Sequence, residues 1–172
     1  HDSVDNCPYN IREIWEIEYI KSPRPLPHSE DVRVFSKTKT GILDMAILDF
    51  LKKIDFPIYQ GSIGKTFESK LNKVGVKCYI TKDNVPQSST CFWICNSEIK
   101  LTEDYGRHHY ALLDNLPNVF LHLTVADLPY VGIEAPIQTI PRETLVRLSL
   151  AHWWSPSNST EERCYLQLSG WY

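Results

Sequence analysis

"TLVRLSLAHWW" (144–154) and "RCYLQLSGWY" (163–172) close the chain, separated by "SPSNSTEE" (155–162). Two extended apolar runs around a Pro/Ser/Asn-rich break predict an antiparallel hairpin. Cys164 then sits opposite His152 on an apolar face. The second face carries Trp153, Tyr165 and Trp171, with Arg147 and Gln167 nearby. Large aromatics beside an arginine are the material of binding hot spots, unless helices or the 126–141 loop cover them.

The preceding sequence extends this pattern. "RHHYALL" (107–113) and "NVFLHLTV" (118–125) flank the turn-rich "DNLPN", and "VKCYI" (76–80) and "TCFWICN" (90–96) flank "TKDNVPQSS". Three successive hairpins are therefore expected. Nearer the N-terminus, "REIWEIEYI" (12–20) alternates as a half-buried strand, "SPRPLPH" (22–28) is a proline-rich connector, and "DVRVF" (31–35) is a second short strand. The period changes in "TGILDMAILDFLKKI" (40–54), where Leu43, Ile47, Phe50, Leu51 and Ile54 fall on one helical stripe with Thr40 as N-cap. A shorter helical stripe, Ile63, Phe67, Leu71 and Val74, follows Ser62 and stops at Gly75. The expected fold is α+β: a mostly antiparallel curved sheet, with three C-terminal hairpins, packed on one long and one shorter helix. A single domain over 1–172 is expected, with an N-terminal arm (1–10) and a Pro-rich loop (126–141).

"IYQGSIGKTFESKL" (58–71) poses the question of a phosphate-binding loop. Gly64, Lys65 and Thr66 match its second half, but Tyr59 stands where the first glycine must be, and Pro57 spoils the strand that should precede it. Asp127, after an apolar run, resembles a magnesium-binding position, yet hairpins replace the parallel strands such proteins need. The stretch reads as a capped amphipathic helix with a solvated Lys65.

Catalytic chemistry has one candidate. With a turn centred on Leu116, Tyr110 faces His122, His108 faces Thr124, and the two imidazoles lie roughly 7 Å apart as diagonal neighbours. Such a pair could serve as an acid/base couple or hold a metal with Asp104 or Asp114. In a small secreted ribonuclease-like enzyme His108 and His122 would act, with Arg107 and Arg147 on the phosphate. A one-residue slip dissolves the pair. The net charge of −3 also disfavours nucleic acid as a partner.

Cys7, Cys78, Cys91, Cys95 and Cys164 match neither a zinc ribbon nor a Cys-x-x-Cys pair. Cys91 and Cys95 lie roughly 13 Å apart on one strand, so they cannot bond each other. Cys78 falls across the expected hairpin from Cys91, and Cys7 would anchor the arm. Cys91 lies in an expected strand, with no helix terminus to activate a thiol nucleophile. The Asn158-Ser-Thr sequon, the spread cysteines and a first residue that is His rather than Met tilt the reading to a secreted, oxidised glycoprotein. No apolar run is long enough to span a bilayer. The expectation is a secreted, non-enzymatic binding module for a protein or other macromolecular partner, or for an apolar small ligand inside the curved sheet. It needs no cofactor and no metal. The ribonuclease-like hydrolase is the rival.

Overall fold

A computed structural model describes residues 8–22, 24, 26–113, 124–157 and 160–172. It is sheet-rich α+β, with 50% strand against 9% helix, so strand pairing rather than helix packing organises the core. The elements in chain order are β1 (Glu13–Lys21), β2 (Val32–Ile42), α1 (Ile47–Lys53), β3 (Ile58–Gly61), a 3₁₀ turn (Ile63–Lys65), α2 (Thr66–Ser69), β4 (Asn72–Val74), β5 (Lys77–Thr81), β6 (Thr90–Cys95), β7 (Ile99–Asp104), β8 (Arg107–Leu113), β9 (Thr124–Pro129), β10 (Thr139–Ile140), β11 (Leu145–Leu150) and β12 (Arg163–Trp171).

Three sheets form. Six strands run in the order β3-β6-β11-β12-β5-β4, four in the order β10-β7-β8-β9, and β1-β2 stand as a separate ribbon. One apolar cluster joins the two larger sheets. Trp93, Ile80, Val146, Leu148 and Leu168 from the first meet Ile99, Tyr110, Ala126, Leu128 and Ile140 from the second, all fully buried.

The C-terminal hairpin follows the sequence pattern. Leu150 pairs with Leu166, Ser149 with Gln167 and Leu148 with Leu168. Beyond Leu150 the register shifts, Trp154 bridging Arg163, and exposed His152 does not share an apolar face with buried Cys164. A register shift between Arg147 and Leu148 then pairs Val146 with Trp171. Cross-strand partners share a face, so Trp171 turns to the side of the fully buried Val146 instead of joining Tyr165.

The other two expected hairpins differ. β5 pairs with β4 and β12, and β6 with β3 and β11, so 76–80 and 90–96 are not partners. β8 does pair with β9, but Ala111 faces Asp127 and Leu112 faces Ala126. Burial sets this register: Ala126 and Leu128 must lie beside Leu112 and Tyr110 to reach the core. β8 also forms an unexpected hairpin with β7 through Tyr105 and Gly106, whose φ values of 48° and 71° suit a tight two-residue turn. β9 occupies the front of the expected 126–141 loop and β10 its end.

Both helix expectations shrink. β2 continues through Ile42, opposite Glu13, so Thr40 is a strand residue and only Ile47–Lys53 is helical. Pairing with β1 overrides the helical period of 40–46, and Leu51 is the one stripe residue that is fully buried. The second stripe becomes the 3₁₀ turn and α2, in which Phe67, Glu68 and Ser69 take positive φ. Ile63 and Phe67 still reach the core, but the chain turns left-handed to place them. Val74 belongs to β4, and Gly75 (φ 57°) lies in the turn to β5.

The ribbon departs from the half-buried reading of 12–20. Ile14, Ile17, Tyr19, Ile20, Val32, Val34, Phe35 and Ile42 are all exposed. Arg12 side-chain nitrogens donate to Leu43 O and close the ribbon at its base, while at the far end Ser29 and Glu30 of the connector bond to Gln87 and Ser89 of the body. At the base Glu13 accepts from Lys39 Nζ, Asn10 N and Trp15 Nε1. These bonds, led by that from Lys39, lower its pKa from 4.5 to about 2. A depressed carboxylate contributes stability that is full above its ordinary value and is lost as pH falls through the lowered one. The Trp15 indole N–H resonance should therefore shift with a midpoint near 2, the lowered pKa. Glu13→Gln should abolish that transition.

Candidate functional site

Where β5 and β12 meet the ends of β8 and β9, an open cleft of about 480 Å³ forms. Lys77 and Cys78 enter from β5, Arg107 and His109 from β8, Asp127 and Pro129 from β9, and Tyr165 and Gln167 from β12. A main-chain bond from Asp127 N to Val76 O (2.8 Å) fixes β9 against β5 and sets the width of the opening. His109 Nδ1 lies 2.9 Å from Asp127 Oδ2, so the carboxylate orients the imidazole within the cleft. Lys77 and Arg107 are exposed cations at the rim.

Tyr165 also belongs to an aromatic platform. It pairs with Tyr79 across β5–β12, with ring centroids 5.7 Å apart, and meets Trp154 in a tilted contact at 6.0 Å. The Arg163 guanidinium sits 4.4 Å above the Tyr79 ring and is also bonded to Glu161. Trp154, 56% exposed, offers its ring to solvent.

The expected binding face thus divides. Tyr165 and Gln167 line the cleft. Trp171 packs at 5.7 Å from Tyr110 and 5.2 Å from Tyr130, against the core cluster. Trp153 donates to Leu26 O at 3.0 Å, with Lys82 Nζ 5.8 Å over its ring, so the connector covers it. Arg147 lies in a separate hollow with Phe50, Phe92 and Tyr172. Part of this face is covered, Trp153 by the connector and Trp171 by Tyr110 of β8 and by Tyr130 of the 126–141 segment, and not by helices. Tyr79 and Trp154 complete the platform and were missed. The signal for Tyr79 was its alternation with Cys78 and Ile80 in "VKCYI".

The strand register expected for the histidine hairpin is not the one observed. His108 is an exposed β8 residue opposite Glu103, and Thr124 faces Leu113 instead of His108. His122, Asp114, Cys7 and Asn158 lie outside the described residues. Asp104 faces Arg107 at the β7–β8 turn. The oriented histidine is His109, which becomes visible only once Asp127 is placed in β9.

The phosphate-loop stretch runs from β3 into the 3₁₀ turn, with Ser62 Oγ accepting from Gly64 N at 3.3 Å. Ser62 caps that turn as anticipated, but no helix of useful length follows. β3 does run parallel to β6, while the remaining ladders of this sheet are antiparallel.

Cys78, Cys91, Cys95 and Cys164 are buried free thiols. Cys78 and Cys91 are not cross-strand neighbours, because β5 and β6 do not pair. Burial raises all four pKa values, those of Cys91 and Cys164 to about 12. A protonated thiol is neither a nucleophile nor a ready partner in disulfide exchange. Among the described residues no helix is long and apolar enough to cross a membrane.

No protein-family model, curated protein or solved structure compared with this chain matches it, so its function must be read from its own geometry. The four described cysteines should resist an aromatic disulfide reagent in the native protein. All four should react once denaturant is added, and reaction of any of them under native conditions would contradict the burial seen here.

Proposed function

We propose that the protein is a secreted, non-enzymatic binding module that holds a macromolecular partner on the aromatic outer face of β5–β12. The observation that carries this reading is the contiguous Tyr79–Tyr165–Trp154 platform beside an open cleft. Aromatic rings supply contact area at little entropic cost, and a neighbouring cleft can take a side chain of the partner. The exposed rim cations Lys77 and Arg107 favour an acidic protein segment there. The eight exposed apolar residues of the ribbon offer further contact area. Secretion is supported by the sequon at Asn158.

The test is affinity capture with a photo-crosslinker near the platform, followed by affinity measurement for the captured protein. Tyr165→Ala and Trp154→Ala should each weaken that affinity by about 2 kcal/mol or more, as hot-spot truncations do. Equal affinity for both variants and the parent would remove the platform from the binding reading.

A second reading, a small hydrolase of ribonuclease type, is favoured by the His109–Asp127 pair with Arg107 at the same cleft. An imidazole oriented by a carboxylate can relay protons, and a guanidinium can hold a phosphate. The binding reading expects no cleavage of RNA by the purified protein in metal-free buffer. Cleavage that is lost in His109→Ala but kept in His108→Ala would put the hydrolase in its place.

A further inference from the structure

At the edge of the cleft, which His152 also lines, connector residues 26–31 fold back onto the end of β11. There the ligand-capable atoms of His28, Asp31 and His152 all come within 4.8 Å of one another. We propose that these three side chains form a binding site for a divalent transition-metal ion of the zinc class.

Two imidazoles and one carboxylate make a donor set that suits zinc and its neighbours rather than magnesium or calcium, which take oxygen shells. Two nitrogen ligands on one zinc ion lie about 3.3 Å apart when each bond is about 2.05 Å. The ligand atoms, spread over up to 4.8 Å, must draw together to reach that spacing. Two positions come from one short segment and the third from a residue more than a hundred positions later. Chain folding, not local spacing, therefore assembles the set.

The surroundings support the site. His28 is only 4% exposed, and its Nε2 lies 3.2 Å from Ala151 O and 3.9 Å from Cys164 Sγ. The His28 and His152 rings stand 4.5 Å apart, so one cation can bridge them. A cation already borders the cluster: Arg24 Nε is 3.3 Å from Asp31 Oδ2, and Arg24 Nη1 is 3.2 Å from His152 Nε2. The Arg24 side chain is 47% exposed and can swing into solvent when a metal arrives. The guanidinium thus competes with the ion for the same ligands. Bound metal would staple the connector, and with it one end of the β1–β2 ribbon, to β11.

The test is calorimetric titration of Zn²⁺ into the full chain, freed of metal by chelator and kept reduced. One ion should bind per chain, with Ca²⁺ and Mg²⁺ giving no heat above dilution. His152→Ala and Asp31→Asn, both at accessible positions, should each weaken Zn²⁺ at least ~100-fold, the upper end of what loss of a supporting partner alone costs. Arg24→Gln should bind as tightly or more tightly, because a competing charge is gone. Absence of one-to-one binding to the parent chain overturns the proposal. So does undiminished affinity in both ligand variants, or weaker binding in Arg24→Gln.

Discussion

β11 has a full ladder on each side. Leu148 sits between Cys91 of β6 and Leu168 of β12, and Val146 between Trp93 and Trp171. All of these residues except Trp171 are buried, so this short strand satisfies its backbone bonds on both edges while covering one face with apolar side chains. Burying a leucine or valine is worth about 1.5–3 kcal/mol, and the residues on this strip repeat that gain within one continuous cluster. Slipping β11 by one residue would turn Val146 and Leu148 outward and Arg147 inward. The positions of β5, and through β5 of the cleft, follow from that register.

The same constraint explains what the sequence revealed. The pairing of 145–150 with 163–171 was legible because alternation, turn composition and burial agree there. The position of Trp171 was not, because one extra residue near Ser169 reverses the face of everything beyond it. For β8 and β9, apolar side chains occur on both strands at several registers, and a Pro-containing stretch suggested a tight turn. The buried pair Ala126 and Leu128 decides the matter, and it falls after the residues that were read as the strand. The helical stripe over 40–54 was real as a pattern, yet a ladder of backbone bonds to β1 outweighs a propensity worth tenths of a kcal/mol per residue. His109–Asp127 and the His28–Asp31–His152 cluster could not be read in advance. Each depends on a strand or connector being placed by tertiary burial first.

The ribbon is the part of the fold with least support of its own. Two strands isolated in water are marginal, and exposed Ile, Val, Tyr and Phe side chains on β1 and β2 gain little from burial within this chain. What holds them is closure of the base and attachment of the far end to the body. Arg12 and Leu43 close the base, while at the far end Glu30 accepts from Ser89 N and Oγ and Ser29 donates to Gln87 O. A ribbon closed at its base and docked at its far end loses less conformational freedom on meeting a partner than a free hairpin would. Its apolar surface is thereby kept extended instead of collapsing onto the body.

Chemistry and recognition are separated across β12. On the core side its cysteine is protonated by burial and chemically quiet. On the outer side Tyr165 links the aromatic platform to the cleft that holds His109 and Asp127. A binding face needs the rings rigid, and cross-strand pairing with Tyr79 provides that rigidity through the ladder itself. A hydrolase would need a substrate phosphate lodged between Arg107 and His109, on the far wall of the same cleft. The two uses put their demands on different strands, so substitutions on β12 and on β8 discriminate between them without disturbing the ladder on which both depend.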